Sequence, residues 1–489
     1  MMEHPLSRRI ATVLNLDPAA RAIEYRDQWS SWGDVGALSR AIADAVGPGA
    51  EVGIMLRNTP SHVAALLGVL LAGGTVVVVN PSRGDERARA DIAALSLPWL
   101  IGTAADIEQL TPPTVSTTAL VIGDLHTTPE VRAARSAPDA SAPTGVAVRM
   151  LTSGTTGPPK RVDLGYDMLA VSVIGTDFAN ATDPSGISAG VAIVSAPLVH
   201  IGGVYRVLQC VAEARPFVLL PRFELRMWAD AVRRHRPKAV SLVPAALRTV
   251  LHSDLGPDDL AGIRVVTSGT APLSADDADA FTEKFGIPVL TSYAATEFGG
   301  GVAGWTLADH RRYWSAKRGS VGRASLGAQL RVVSDQGAVL GPDQPGLLEV
   351  KPGQSGPAAD WVRTTDLARI DDDGFLWILG RADQAIIRGG FKVLPDDVRA
   401  ALESHPAVVG AAVVGRADAR LGGLPVAMVE LREAASTAEL VEYLRNRLTA
   451  YEIPVEIAVV DAIPRTPSGK ADLAAVREYF IEPAIDRVR

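Results

Sequence analysis

"HVAALLGVLLAGGTVVVVN", residues 62–80, joins two different patterns in one apolar run. The half before Gly73 and Gly74 is rich in leucine and alanine, which favour a helix. The half after them is a run of valines, which favours a strand. The glycines split the run, so neither half reaches the roughly 20 residues of a transmembrane helix. We therefore predict a buried helix followed by a buried strand, and no integral membrane segment.

The same alternation extends in both directions, from Glu51 to about Gly300. Runs such as "VGIML" (52–56), "AVSLVP" (239–244) and "IRVVTSG" (263–269) predict strands. Between them, stretches such as "MWADAVRRHR" (227–236) and "ADDADAFTEKFG" (275–286) predict helices. Continuous apolar strands alternating with helices indicate an α/β fold with largely parallel sheets covered on both faces. Functional loops are then expected at the carboxyl ends of the strands.

The pattern changes twice towards the C-terminus. From about Ser315, short strands and turns predict a small barrel-like subdomain that ends near residue 379. After residues 380–384 a new alternation of strands and helices begins and runs to the end of the chain. The sequence thus predicts a large N-terminal domain, residues 1–379, and a small α+β C-terminal domain, residues 385–489.

Composition narrows the class of protein. The 489 residues are 47% hydrophobic and 21% charged, with a formal net charge of −7, which argues against a broad basic surface for nucleic acid. Cys210 is the one cysteine, so an intramolecular disulfide and a cysteine-rich metal site are excluded. The N-terminal stretch lacks an apolar core of signal-peptide length. We expect a cytoplasmic protein.

"LTSGTTGPPKR", residues 151–161, is a candidate phosphate-binding loop. A Walker loop places its lysine directly after the last glycine, at the start of a helix. Here Pro158 and Pro159 separate Gly157 from Lys160, and proline disfavours that helix start. The loop therefore predicts an extended clamp whose glycines turn N–H groups towards phosphate. Arg161 either adds charge near the phosphates or faces solvent; the sequence leaves both interpretations open.

A dinucleotide fingerprint, G-x-G-x-x-G, occurs at Gly299, Gly301 and Gly304. No clear helix follows these glycines, although that motif requires one. We interpret the match as chance.

"TSGTTGPPK" closely resembles the signature loop of the adenylate-forming superfamily, which includes acyl-CoA and aryl-CoA synthetases, adenylation domains and luciferases. Further stretches resemble that family's motifs in the same order, and they span nearly the whole chain. These are "PLVHIGGV" (197–204), "TSGTAPLS" (267–274), "SYAATE" (292–297), "GSVGRA" (319–324), "GLLEVKPG" (346–353), "RTTD" (363–366), "GRADQAIIRGGFKVLPDDV" (380–398) and "PRTPSGK" (464–470).

The resemblance implies an ATP-dependent acid–CoA ligase. A carboxylate attacks ATP to give acyl-AMP and pyrophosphate, and the thiol of CoA then gives acyl-CoA and AMP. The family turns its mobile C-terminal lid between these half-reactions about a hinge, here residues 380–384 with Asp383 at the turning point. ATP, Mg²⁺ and CoA as co-substrate are therefore the expected small-molecule partners besides the acid.

The matched motifs assign the catalytic roles. Lys470 is expected to contact both the carboxylate and the α-phosphate, so that a cation stands between two anions. Glu297 is expected to hold Mg²⁺, with Thr152 a weaker candidate beside the metal. Thr296 would hydrogen-bond the α-phosphate, and His200 would lie beside the acyl carboxylate and the thiol tunnel.

The remaining predicted site residues are grouped by ligand. The phosphate loop comprises Thr152, Ser153, Gly154, Thr155, Thr156, Gly157 and Lys160. The adenosine site comprises Gly269, Thr270, Tyr293, Asp366 and Arg381. The predicted CoA contacts are Gly389, Gly390 and Phe391. The predicted acyl pocket comprises Val204, Tyr205, Ala294, Gly299 and Gly300, where the glycines leave room for a bulky group unless another segment fills it.

Several alternatives stay open at this point. An acyl-AMP ligase that loads a carrier protein is disfavoured because the segment from Glu297 to Asp366 is compact. A non-catalytic nucleotide-binding paralogue would accommodate the departures at Arg161, Ala294 and Thr365, although none of these removes a reactive group. The acid, whether fatty, aryl or polycyclic, and the oligomeric state, monomer or homodimer, are open as well.

Overall fold

A seven-stranded sheet organises the first part of the chain. In the computed structural model, the described residues are 3–82, 84–132, 145–151, 160–325, 327–388, 391–418, 420–466 and 469–481. The first elements are α1 (Pro5–Leu16), β1 (Arg21–Tyr25), β2 (Gln28–Ser31), α2 (Trp32–Val46), β3 (Glu51–Met55), α3 (Pro60–Leu71), β4 (Thr75–Val79), α4 (Asp85–Leu95), β5 (Trp99–Gly102), α5 (Ala104–Leu110), β6 (Thr118–Val121), β7 (Glu130–Arg132), β8 (Val146–Leu151), β9 (Arg161–Gly165) and α6 (Tyr166–Val173). The sheet order is β7-β6-β5-β3-β4-β8-β9, and only the outer strands β7 and β9 pair in antiparallel fashion.

Helix α3 and strand β4 confirm the prediction made from residues 62–80. Thr59 caps α3 by accepting a hydrogen bond from the His62 N–H, and Pro60 occupies its first turn. Every residue of β4 is buried because helices cover both faces of the sheet. Val78 packs with α2 and α3 on one face, whereas Val79 packs with α4 and α5 on the other.

Two further sheets follow along the chain. Their elements are β10 (Ala192–Val194), α7 (Ile201–Ala212), β11 (Phe217–Leu219), α8 (Leu225–His235), β12 (Ala239–Ser241), α9 (Pro244–Leu251), β13 (Val265–Ser268), α10 (Ala275–Phe285), β14 (Val289–Ala295), β15 (Gly300–Gly304), α11 (Leu307–Tyr313) and β16 (Arg323–Ala324). One sheet has the order β10-β11-β1-β2 and the other the order β12-β13-β14-β15-β16. The glycines of the dinucleotide-like match lie around β15, which pairs antiparallel with β14, so no strand–helix fingerprint exists there.

The segment predicted to be barrel-like is an antiparallel sheet in the order β17-β18-β19-β20. Its strands are β17 (Gln329–Val333), β18 (Gly346–Lys351), β19 (Val362–Ile370) and β20 (Leu376–Arg381). Leu348 and Val350 pack against Phe298 and Val302, which joins this sheet to the end of β14 and to β15. The contact brings β19 and β20 beside the loop that follows β14.

The C-terminal part has a sheet and a core of its own. Its elements are β21 (Ile386–Arg388), β22 (Phe391–Val393), α12 (Pro395–Glu403), β23 (Val408–Asp418), β24 (Gly422–Leu431), α13 (Thr437–Arg445), β25 (Glu456–Val460) and α14 (Leu473–Ile481). The strands β22, β21, β24 and β23 follow in that order, and β25 pairs with β24. Helices α12 and α13 bury Leu402 and Leu440 on one face, and α14 buries Phe480 on the other. None of the helices within the described ranges has the length and apolar run that crossing a bilayer takes.

Ion pairs fasten the C-terminal part to the N-terminal part. Arg248 on α9 donates to Asp277 on α10 at 2.7 Å and to Glu403 on α12 at 2.6 Å. Glu403 also accepts a hydrogen bond from Arg399 on its own helix at 2.6 Å. All four side chains are largely buried. This network joins α12 of the C-terminal part to α9 and α10 of the N-terminal part.

Candidate active site

Tyr293 and Asp366 meet where β14 approaches β19. The phenol O–H of Tyr293 donates a hydrogen bond to Asp366 Oδ2. Burial raises the pKa of the Asp366 carboxyl, while the hydrogen bond from Tyr293 and the charge of Arg381 act in the opposite direction. Burial, followed by the nearby charge of Asp366, raises the pKa of Tyr293. The predicted adenine and ribose residues are thus in direct contact.

Arg381 faces Asp366 across the β19–β20 ladder and links it to the predicted hinge. Its guanidinium donates to both carboxylate oxygens of Asp383, at 2.9 and 2.7 Å. It also donates to Thr365 Oγ1 at 2.6 Å. Thr365, which departs from the resembled motif, therefore gives Arg381 a further anchor. The same arginine connects the ribose side of the site to the start of the C-terminal part.

Lys470 interacts electrostatically with Asp366 and Arg381, although it comes from the far end of the chain, and the place where these side chains meet is called the cleft below. The turn that presents it is closed by the Thr466 N–H donating to the Lys470 carbonyl at 2.7 Å, and Gly469 adopts a φ of +81°. Burial and the charge of Arg381 lower the pKa of Lys470, while Asp366 and Glu297 oppose that shift. The residue is exposed as a whole, while neighbouring protein atoms partly desolvate its amine. These mutual charge effects place it among the predicted adenylation residues.

His200 is the residue directly before α7. Its Nε2 is buried and has no hydrogen-bond partner among the described residues. Burial, with a smaller contribution from the charge of Lys470, lowers the pKa of His200 to about 4. The imidazole is therefore neutral at neutral pH, and its electrostatic contact with Lys470 places it on the cleft.

The turn after β14 carries the predicted metal and α-phosphate residues. Thr296 and Glu297 form a single 3₁₀ turn with Phe298, whose ring is fully buried and anchors the turn. Glu297 affects the pKa of both Tyr293 and Lys470, so it belongs to the same cleft. One carboxylate together with substrate phosphates is a donor set that suits Mg²⁺.

The loop after β13, which was predicted to line the adenosine site, has little room for additional side-chain atoms. A Cβ on Gly269 would lie 2.8 Å from Ser292 Oγ, so only glycine fits without a shift. Thr270 adopts a φ of +72°, a left-handed conformation that is strained for a β-branched residue. Such strain persists where surrounding structure over-determines it and is common at functional sites.

The predicted acyl-pocket residues fall into three environments. Val204 is fully buried in the main hydrophobic core. Tyr205 is partly buried against that core, and Ala294 is exposed. Gly299 and Gly300 lie against α6, which occupies the space that the missing side chains leave.

The residues of α6 that fill this space are Met168 and Ser172. A Cβ on Gly299 would lie 2.2 Å from Met168 Cγ, and one on Gly300 would lie 3.3 Å from Ser172 Oγ. Ser172 also donates a hydrogen bond to the Gly299 carbonyl at 2.9 Å. The glycines therefore allow α6 to pack closely here. The space that the sequence suggested for a bulky acyl group beside them is occupied by Met168 and Ser172.

Some predicted residues lie outside the described residues. These are Thr152, Ser153, Gly154, Thr155, Thr156 and Gly157 of the phosphate loop, and Gly389 and Gly390 of the CoA contacts. Lys160 is described and exposed. Phe391 is 56% exposed and stacks on Tyr451 with ring centroids 4.6 Å apart.

Arg161 does not face solvent. Its Nη2 donates to Asp91 on α4 at 2.6 Å, and its Nη1 donates to the Val78 carbonyl at 3.1 Å. Sequence reasoning missed this ion pair because Asp91 sits on a polar helix with no motif around it. It missed Met168 and Ser172 because they lie on the apolar helix α6, where no motif marks them.

Comparison with known proteins agrees over both parts of the chain. Residues 11–355 match the AMP-binding enzyme family, and residues 397–470 match the AMP-binding enzyme C-terminal domain. The 4-coumarate–CoA ligase 1 of Oryza sativa subsp. japonica is 30% identical over 90% of this chain and 86% of its own length. The 2-succinylbenzoate–CoA ligase of Bacillus subtilis (strain 168) is 27% identical over 93% of this chain and 94% of its own.

Solved structures with the same architecture include o-succinylbenzoate CoA synthetase from Bacillus subtilis. Its complex with the acyl-adenylate intermediate OSB-AMP superposes with a TM-score of 0.76 at 26% identity, covering 99% of this chain and 98% of that one. Its complex with ATP and magnesium ion gives a TM-score of 0.78 at 25% identity, covering 97% and 99%.

Proposed function

This chain belongs to the AMP-binding enzyme family, and we propose that Lys470, Glu297 and the Tyr293–Asp366–Arg381 cluster perform its adenylation step. The enzyme is an ATP-dependent acid–CoA ligase of the AMP-forming type. It converts a carboxylate and ATP into acyl-AMP and pyrophosphate, and CoA then displaces AMP to give acyl-CoA. The assignment of residues is supported by the hydrogen bond between Tyr293 and Asp366 and by the charge interactions of Lys470 with Asp366, Glu297 and His200.

Each residue answers a physical need of the first half-reaction. The acid and the α-phosphate are both anionic, so the ammonium of Lys470 lowers the energy of bringing them together. Asp366 offers carboxylate oxygens to the ribose hydroxyls, and Tyr293 offers an aromatic face to adenine. Mg²⁺, bound to Glu297 and phosphate oxygens, would neutralise phosphate charge. His200 is neutral, so it borders the acyl carboxylate without adding a charge that would compete with Lys470.

We propose a compact aromatic acid as the substrate class. Met168 and Ser172 close the space beside Gly299 and Gly300, which disfavours a long alkyl chain there. Several relatives act on aryl acids, among them the 4-coumarate, 2-succinylbenzoate and indoleacetate ligases. A panel of aryl, polycyclic and fatty acids in a pyrophosphate-release assay tests this proposal, and a preference for long fatty acids would contradict it.

We further propose that CoA acts as the acceptor without any carrier protein, and that the enzyme works in the cytoplasm, where ATP and CoA are available. Thioester formation with CoA alone supports this acceptor. If thioester formation requires an added carrier protein, that protein and not CoA is the acceptor.

The replacement Lys470→Ala tests the adenylation role. Pyrophosphate exchange should fall by about a hundredfold or more, the usual size of a lost transition-state contact. Thioester formation from supplied acyl-adenylate should continue, because the thiol attack does not need this lysine. Lys238→Ala, at an exposed lysine far from the cleft residues in sequence, is the control. Equal losses in both half-reactions would refute the assignment.

A further inference from the structure

Arg161 is the residue that immediately follows Lys160, and it is held from two sides. The Arg161 and Asp91 side chains are each 17% exposed, so their ion pair is largely shielded from water. Its guanidinium also donates to the Val78 carbonyl at 3.1 Å. Asp91 and Val78 belong to α4 and β4, so one side chain joins the edge strand β9 to two elements that precede it by many residues.

The hydrogen bond to Val78 lies at a specific point in the sheet. Strand β8 separates β9 from β4 in the sheet order, and it pairs with β4 at Val76 and Val77. The Arg161 side chain reaches across β8 to the Val78 carbonyl, the next one along β4. On the other side, the backbone of Arg161 pairs with Leu151 at the end of β8. Arg161 is thus fixed by both its main chain and its side chain.

Strand β9 also supports the turn that carries the metal and α-phosphate residues. It packs against the segment Thr296–Phe298. Strand β9, which begins at Arg161, therefore follows Lys160 directly and packs against the element that bears Glu297. An arginine suits this place because its planar guanidinium can serve a carboxylate and a carbonyl at once.

We infer that Arg161 is a positioning residue for the adenylation half-reaction. Anchored on Asp91 and Val78, it holds the backbone of Lys160 where that lysine can meet the phosphates of ATP. In this role, Arg161 contacts neither the substrate nor the reacting atoms. The inference rests on the proposed function, because it assigns Lys160 to ATP, and it adds Asp91 and Arg161 to the residues on which ATP use depends.

The test compares two carboxylate-to-amide replacements that each remove one arginine partner. Asp91→Asn weakens the anchor of Arg161. Asp163→Asn weakens the pair in which Arg149 donates to Asp163 at 2.6 and 3.2 Å, which joins β8 to β9 two residues further along the strand. The second change disturbs the same edge of the sheet without touching Arg161, so it is the matched control.

Three quantities are measured for each variant: the KM for ATP in pyrophosphate exchange, the KM for the acid, and the rate of thioester formation from supplied acyl-adenylate. For Asp91→Asn we expect the KM for ATP to rise by about tenfold, with the other two quantities within about twofold of wild type. For Asp163→Asn we expect all three to stay within about twofold of wild type. If Asp91→Asn does not fold, Arg161→Lys carries the same comparison, since lysine keeps the charge but cannot serve both acceptors.

An unchanged KM for ATP in the Asp91→Asn variant overturns the inference and leaves the proposed function intact. So does an equal rise in both variants, which would show that the pair merely secures the sheet edge. A wild-type enzyme that exchanges pyrophosphate with no acid of the panel overturns the proposed function, and the inference with it.

Discussion

Two buried histidines show how single residues couple this fold to pH. Burial lowers the pKa of both His62 and His200 to about 4. His62 Nδ1 lies 2.7 Å from Thr59 Oγ1, within the cap of α3, and its Nε2 has no partner among the described residues. The unfolded chain takes up a proton near the ordinary histidine pKa of about 6.5, whereas the folded chain resists protonation until about pH 4. Each histidine therefore favours folding fully above pH 6.5 and loses that contribution as the pH falls.

His62→Asn should flatten the dependence of stability on pH. Between pH 6.5 and 4, the wild-type unfolding free energy should fall by up to about 3 kcal/mol through His62 alone. The reason is that the pKa of His62 is about 6.5 in the unfolded chain and about 4 in the folded chain. Urea unfolding at several pH values measures the slope. His126→Asn, at a histidine whose side chain is 73% exposed, is the control and should leave the slope unchanged. A slope in His62→Asn as steep as in the wild type would contradict the prediction.

At the scale of elements, the contact between α6 and β15 explains why the segment around Gly299 is rich in glycine. Gly299 adopts a φ of +70°, and its missing Cβ makes room for Met168. Gln354 supports the other side by donating to the Gly301 carbonyl at 2.7 Å. Helix and strand therefore approach more closely than side chains at these positions would permit, and the approach closes one wall of the cleft.

Gly299→Ala should destabilise the fold for two separable reasons. The left-handed backbone costs an L-residue about 1–2 kcal/mol, and the clash with Met168 adds about 1–3 kcal/mol. Adding Met168→Ala should relieve the clash and leave the backbone cost. The double variant should therefore lose about 1 kcal/mol less than the sum of the single variants. Urea unfolding of the four proteins gives the coupling, and strict additivity would contradict the proposed contact.

At the scale of the whole molecule, the network around Arg248 joins the N-terminal part to the C-terminal part, which carries Lys470. Arg248 belongs to the N-terminal part and Glu403 to the C-terminal part, and their pairing is largely buried. A second contact, between Arg432 and the His252 ring at 2.8 and 3.0 Å, joins the same two parts. Turning the C-terminal part for the thiol step would have to separate these groups.

Arg248→Met should therefore slow adenylation selectively. Glu403 keeps Arg399 as a partner, whereas Asp277 loses Arg248, so the change removes the pairing between the two parts together with one bond inside the N-terminal part. Each charged hydrogen bond is worth about 1.5–3 kcal/mol. We expect pyrophosphate exchange to fall by about tenfold or more, with little change in thioester formation from supplied acyl-adenylate. Arg233→Met, which breaks pairs within the N-terminal part only, is the control. Parallel losses in both half-reactions would argue against the selective role.

The local pattern of the chain predicted many of its elements and named the candidate site residues. Helix α3 and strand β4 follow from the leucines and valines around Gly73 and Gly74, since periodicity and propensity act over neighbouring residues. Tyr293, Asp366 and Lys470 were found through motifs, and the fold brings them into one cleft. The two prolines before Lys160 correctly argued against a helix, because β9 follows instead.

Only the tertiary structure decided what surrounds those residues. Arg161 meets Asp91, Gly299 meets Met168, and Arg248 meets Glu403, and in each pair the partners are far apart in the chain. No local pattern marks such partners, because a contact of this kind depends on how separate elements pack. The sequence by itself determined the family and the reaction, and its short motifs named the residues that we propose as the reacting groups. The anchoring of Arg161, the closed wall beside Gly299 and the position of Lys470 depend on packing between distant segments, which short motifs do not encode.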